Sequence, residues 1–95
     1  MPFPAQTPRE VTRPNVEMLK PGRIGCYGLF QGDRWVYVGK GDIRDRLLAH
    51  LNGDNWCIAQ RMAKMHWVDV VTADYDAEEK RLILELNPLC NQRVG

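Results

Sequence analysis

The stretch from Ile24 to Lys40 constrains this chain most. Two apolar runs, Ile24 to Phe30 and Trp35 to Gly39, flank the polar segment Gln31-Gly32-Asp33. Short runs of this kind around a glycine-bearing break predict a β-hairpin. Tyr27 and Tyr37 fall one on each run. Side chains alternate with a period of two, so the loop length decides whether the tyrosines share a face. A three-residue loop, with Phe30 facing Arg34 and Gly32 in a left-handed position, sets Tyr27 directly opposite Tyr37. A two-residue Gly32-Asp33 loop shifts the register by one and sends the tyrosines to opposite faces. The three-residue register is the expectation. Lys40 follows the second run at once, with Arg44 and Arg46 just beyond. Two phenols beside several cations suit a phosphate-handling site, which would also need a carboxylate.

The chain has 95 residues, 44% of them hydrophobic and 26% charged. That is an ordinary composition for one globular domain with a modest core. No apolar run approaches the roughly 18 residues of a membrane span. The opening Met1-Pro2-Phe3-Pro4 lacks the basic and apolar regions of a signal peptide. Cys26, Cys57 and Cys90 are odd in number, and none forms a Cys-x-x-Cys pair. They read as reduced thiols, which points to a cytoplasmic protein. The net charge is only +1. A dedicated nucleic-acid binder is usually more basic, so any such role rests on local charge.

Residues 1–23 read as a separate proline-rich arm, and residues 24–95 as the domain. The arm holds five of the six prolines. It is expected to be extended and to strap the core, with a short helical turn around Pro14 to Leu19 that starts on Pro14. After the hairpin, Asp42 is a good N-cap for a helix to about Leu51, with Gly53 just past its end. Ile43, Leu47 and Leu51 form the core stripe of that helix. Arg46 and His50 lie on one flank and Arg44 toward the other. Periodicity alone does not choose between the arginines.

Asp54 or Asn55 can cap a second helix to about Met65, with Ile58, Met62 and Met65 on its apolar face. His66 to Thr72 reads as a third strand. A third helix runs from about Asp76 to Leu86, stopped by Pro88, and Leu89 to Gly95 forms a short tail. Trp35, Trp56 and Trp67 read as core or sheet-face aromatics. The order is ββααβα: an α+β domain with a small antiparallel three-stranded sheet and helices packed on it.

In the last helix, Glu79, Leu82, Ile83 and Leu86 fall at i, i+3, i+4 and i+7, so Glu79 extends the apolar stripe. Glu78, Arg81 and Glu85 form a polar row on the surface. Glu79 is thus the carboxylate aimed at the protein body. A charge placed there needs a partner, either a cation or a nearby Lys or Arg. Its position near the helix N-terminus also favours it through the dipole.

Gly25-Cys26-Tyr27 and Tyr37-Val38-Gly39 resemble the two tripeptides that name the GIY-YIG nucleases. Lys40 follows the second glycine as in that family. Arg46-Leu47, His50 a turn later, Glu79 on a late helix and Asn91 after Pro88 continue the likeness, which covers residues 24 to 91. The Arg-Leu context favours Arg46 over Arg44. Cys26 departs from the usual aliphatic residue, and the segment between Lys40 and the arginine is one residue short.

The resemblance implies a GIY-YIG-like fold and a metal-dependent endonuclease that hydrolyses DNA phosphodiester bonds. It implies Tyr27, Tyr37, Lys40, Arg46 and Glu79 as catalytic residues, with Glu79 as ligand to a single Mg2+ (or Mn2+). Gly25, Gly39, His50 and Asn91 are then structural or supporting residues. Tyr27 is the candidate general base and Tyr37 orients water, or the roles are exchanged. Lys40, Arg46 and the metal are the expected sources of a lowered tyrosine pKa. Asn91 is expected mainly to tie the tail by hydrogen bonds. The near-neutral charge implies weak binding to DNA alone, and a protein partner that supplies targeting or affinity fits that. A non-catalytic DNA-binding or protein-interaction module of the same fold is the alternative.

Overall fold

A computed structural model describes residues 2–91. The expected tail continues past Asn91, and that part lies outside the described residues. The element order is β1 (Arg9–Glu10), α1 (Arg13–Glu17), β2 (Ile24–Gln31), β3 (Arg34–Asp42), α2 (Ile43–Leu51), α3 (Trp56–Ala59), β4 (His66–Val71) and α4 (Tyr75–Leu86). A 3₁₀ turn, Leu89–Asn91, follows α4. The sheet is antiparallel with strand order β1-β4-β2-β3, so it has four strands where three were expected. The extra strand comes from the arm: Arg9 and Glu10 pair with Trp67 and His66. Two charged residues carry no apolar alternation, so nothing in the pattern marks them as a strand.

The hairpin differs from expectation in a way that leaves the tyrosines together. Gln31 pairs with Arg34 around a two-residue Gly32-Asp33 turn, and Gly32 takes φ +61°. That turn alone would send Tyr27 and Tyr37 to opposite faces. However, Phe30 pairs with Trp35 while Leu29 pairs with Tyr37, so Val36 is an extra residue in β3. This β-bulge restores the parity. Tyr27 therefore faces Gly39 rather than Tyr37, and the two phenols sit diagonally on one face with ring centroids 6.3 Å apart.

Each face of the sheet carries its own core. One joins Tyr27, Leu29, Val36 and Trp67 to Val16 and Leu19 of the arm, Ile43 and Leu47 of α2, Ile58 and Met65. The other joins Cys26, Val38 and Val68 to Leu82 of α4 and to Phe3, which stacks on Trp35. The arm thus packs on both faces. Its expected short helix is present but starts one residue earlier, at Arg13, with Pro14 in the first turn, Thr12 as N-cap and an end at Glu17. Asp42 caps α2 by accepting from the Asp45 amide, and it also accepts from the Gly22 amide, which ties the arm to the helix start.

The second expected helix is cut short. It runs only from Trp56 to Ala59, capped by Asn55, and Lys64 adopts φ +58° before β4. Ile58 and Met65 still reach the core, while Trp56 stands 78% exposed and so is not a core aromatic. Gln31 donates to the Arg61 and Ala63 carbonyls, which fixes this stretch as irregular chain. The reading of three reduced thiols is also corrected. Cys57 and Cys90 form a disulfide with Cα atoms 5.7 Å apart, because α3 and the Leu89–Asn91 turn lie side by side. Closing a loop of 33 residues in this way stabilises by about 3–4 kcal/mol. It also removes the cysteine argument for a reducing compartment. Among the described residues no helix is long and apolar enough to cross a membrane.

Candidate active site

The expected site residues gather along β3, the edge strand, from both faces of the sheet. Tyr27 is fully buried, and its hydroxyl lies 2.7 Å from His50 Nε2. His50 is 1% exposed, and its Nδ1 lies 2.8 Å from Asp54 Oδ1. The second Asp54 oxygen accepts from Arg46 at 3.0 Å. Tyr37 closes the cluster, with its ring edge-on to His50 at 5.3 Å between centroids. Helical spacing explains the group: Arg46 and His50 are one turn apart on α2, and Asp54 follows within a turn beyond its end. Arg46, not Arg44, is the arginine at the tyrosines.

Burial dominates the electrostatics here. It pushes the Tyr27 phenol well above its ordinary value, helped by the neighbouring Tyr37 and only partly offset by Arg46. Burial raises Tyr37 too, against the pull of Arg46, and Glu79 adds to the rise. Of the expected sources of a lowered tyrosine pKa, Arg46 does pull both phenols down, but burial outweighs it, and Lys40 is not among the groups that act on either phenol. Lys40 is turned elsewhere: it is ion-paired to Asp76, with Glu79 at 3.5 Å. The Asp76 hydrogen bond, and Glu79 after it, hold the ammonium protonated. Burial also lowers the His50 pKa, more than Asp54 raises it, so the ring is neutral near pH 7.

Glu79 comes from α4, on the opposite face of the sheet from the tyrosines. Its side chain is 19% exposed, beside Lys40. Glu78 instead pairs outward with Arg81 at 2.9 Å, and Arg81 with Glu85 at 2.9 Å, as the helical spacing predicted. Among the described residues no cluster of three or more His, Cys, Asp or Glu forms a ready metal cage. A lone, partly exposed carboxylate still fits an ion that keeps most of its waters. Cys26 is buried below α4, where burial and the nearby glutamates push its thiol up to about 11, so it is no nucleophile.

The two glycines of the motif are required by close approach. A Cβ on Gly39 would overlap the Tyr27 hydroxyl, and one on Gly25 would run into the Val70 backbone. Asn91 acts as a strand partner for the free edge of β3. Its Oδ1 accepts from the Val38 amide at 2.7 Å, and its Nδ2 donates to the Val38 carbonyl at 2.9 Å. The backbone between Tyr37 and Gly39 is thus clamped, which is the tying role expected of Asn91. Asp54 is the one polar member of the cluster that the sequence did not single out for the site. In the sequence it reads as a helix cap, and its spacing of four from His50 is the available signal. A groove of about 450 Å³ between the arm and the hairpin tip, lined by Phe3, Phe30, Trp35 and Val68, contains none of these groups.

This edge-strand arrangement defines the fold class: the chain has the GIY-YIG fold. No protein-family model matches the sequence, and no curated protein matches it significantly. Two solved structures do match, both of the N-terminal GIY-YIG endonuclease domain of UvrC from Thermotoga maritima, each a point mutant bound to a catalytic divalent cation. One is 20% identical with a TM-score of 0.65, covering 86% of this chain and 100% of that chain. The other is 22% identical with a TM-score of 0.68, covering 90% of this chain and 99% of that chain. At these identities the likeness establishes the fold.

Proposed function

We propose that this chain is a divalent-metal-dependent endonuclease that hydrolyses DNA phosphodiester bonds. The observation that carries the proposal is the gathering of Tyr27, Tyr37, Arg46, Lys40 and Glu79 along one strand. The fold is shared with cation-bound endonuclease domains. Glu79 would hold the ion, Mg2+ or Mn2+, with water completing the shell. When bound, the ion supplies positive charge at the phosphate and at the leaving oxygen. Arg46 is held by Asp54 and by the Tyr27 hydroxyl, and its planar fork is suited to phosphate oxygens at the same place. Lys40 keeps positive charge beside Glu79 and the substrate backbone. Tyr27 takes a proton from the attacking water and Tyr37 orients that water. Tyr27 is favoured for the base because its hydroxyl lies 2.7 Å from His50 Nε2, a nitrogen able to take up its proton. Residues 24–95 carry the chemistry, while the arm of residues 1–23 braces it and adds cations for DNA.

The second reading, a non-catalytic module that binds DNA or a protein, draws on the net charge of +1, which limits unaided affinity for DNA. A panel of duplex, branched and single-stranded DNA separates the two, incubated with Mg2+ or Mn2+. Cleavage that Glu79→Ala abolishes supports the enzyme. Clean wild-type protein that binds DNA and cuts none of the substrates sinks it.

A further inference from the structure

We infer that Asp54 is a positioning residue for the reaction: it fixes His50 in the tautomer whose Nε2 receives the Tyr27 proton. The inference rests on the proposed nuclease reading and extends it to a residue outside the motif. The geometry leaves one consistent set of hydrogen positions. An ionised carboxylate only accepts, so His50 Nδ1, 2.8 Å from Asp54 Oδ1, must carry the hydrogen. In a neutral ring Nε2 is then bare and must accept. Tyr27, 2.7 Å away, is therefore the donor. The phenol, imidazole and carboxylate line up as the hydroxyl, imidazole and carboxylate do in a hydrolase triad.

This arrangement answers a difficulty of the site. A buried phenol is hard to ionise alone, and every tenfold loss of acidity costs about 1.4 kcal/mol. Passing the phenolic proton to His50 avoids a free phenolate. As Tyr27 Oη takes a proton from the attacking water, its own proton moves to His50 Nε2. The water oxygen forms its bond to phosphorus. The bond from phosphorus to the leaving oxygen breaks, its electron pair stays on that oxygen, and the oxygen takes a proton from solvent. His50 ends as an imidazolium whose charge Asp54 balances. The groups facing His50 are Tyr27 from β2, Tyr37 from β3, Arg46 from α2 and Asp54 beyond the end of α2. Of these only Asp54 favours the charged ring.

Asp54 also tethers Arg46 at 3.0 Å, so a purely structural role must be separated. Losing that tether would weaken the hold on phosphate and appear in KM. Losing support for the imidazolium appears in kcat. The test combines nitrogen-detected NMR of His50 with kinetics of wild type, Asp54→Asn and Asp54→Glu. The expected wild-type tautomer carries its hydrogen on Nδ1. Asp54→Asn should lower kcat roughly 10²-fold, within the usual range of general-base help, with KM within about twofold. It should also shift the His50 titration to lower pH. Asp54→Glu should recover part of the loss. Three results would each overturn the inference: a wild-type ring with its hydrogen on Nε2, a kcat for Asp54→Asn within about threefold of wild type, or a His50 pKa that rises in that variant, as plain exposure to water would produce. The wild-type tautomer needs neither activity nor a folded variant. It therefore judges Asp54 even if no DNA is cut, an outcome that would instead sink the nuclease reading.

Discussion

On one side of β3, Tyr37 stands with Tyr27, His50 and Asp54 in a packed cluster where burial raises both phenols and lowers the imidazole. On the other side, Lys40 pairs with Asp76 and Glu79 near solvent. The same strand serves both, because alternate residues face opposite ways. In the proposed reaction the buried side handles the proton and the exposed side exchanges partners, an ion or a phosphate for Lys40. Surface ion pairs are worth only about 0–1 kcal/mol, so the exposed half is built to be rearranged. The buried half is built to stay.

That contrast orders what substitutions should do. Tyr27→Phe is expected to have the largest effect, since it removes the proposed base. Single-turnover cleavage should slow by about 10²- to 10⁴-fold while DNA affinity holds. A loss confined to affinity would move Tyr27 out of the chemistry. Gly39→Ala should come next. Its new methyl overlaps the Tyr27 hydroxyl, so the tyrosine must shift at a cost of about 1–3 kcal/mol. Thermal melting should register this as a lower Tm, and an unchanged Tm would mean that the strands are looser than the structure describes. Asn91→Ala removes two hydrogen bonds to Val38 and should cost about 1–2 kcal/mol. Urea denaturation measures it, and a loss of activity beyond the loss of stability would show that β3 needs its clamp to align Tyr37.

The pH dependence of stability is a smaller effect, carried by the buried side. The folded pKa of His50 lies below the ordinary 6.5, so the unfolded chain binds more protons just below that value. Its contribution is present above about pH 6.5 and lost as pH falls through the folded pKa. Urea midpoints between pH 7 and 5 should decline, and His50→Gln should flatten that decline. The smallest change belongs to the exposed side. Asp76→Ala should leave the urea midpoint almost unchanged, because it breaks only a solvent-accessible pair.

The exposed side was easier to read from sequence than the buried one. Four-residue spacing separated Glu79 from Glu78, and the structure has Glu79 toward Lys40 and Glu78 toward Arg81. The bounds of α2 followed from Asp42 and Gly53. The hairpin register did not follow, because a bulge at Val36 adds a residue without any mark in a period-two pattern. The tyrosines share a face for a reason other than the expected loop. The β1 strand, the short α3 and the Cys57–Cys90 bond all depend on which segments meet in space, and residues 33 positions apart give no local sign of meeting. Asp54 was hidden in the same way. A carboxylate after a helix reads first as a cap, and only the folded chain sets it against His50.

If both sides of β3 serve one phosphodiester cleavage, losing either side must stop it. The most direct test is nicking of supercoiled plasmid by wild type, Tyr27→Phe and Glu79→Ala, with Mg2+ and with a chelator. Metal-dependent nicking by wild type alone is the predicted result, with all three proteins retaining similar DNA affinity. Wild-type protein that binds the plasmid and never cuts it, or a Glu79→Ala protein that still cuts at the wild-type rate, would contradict the joint role of the two sides.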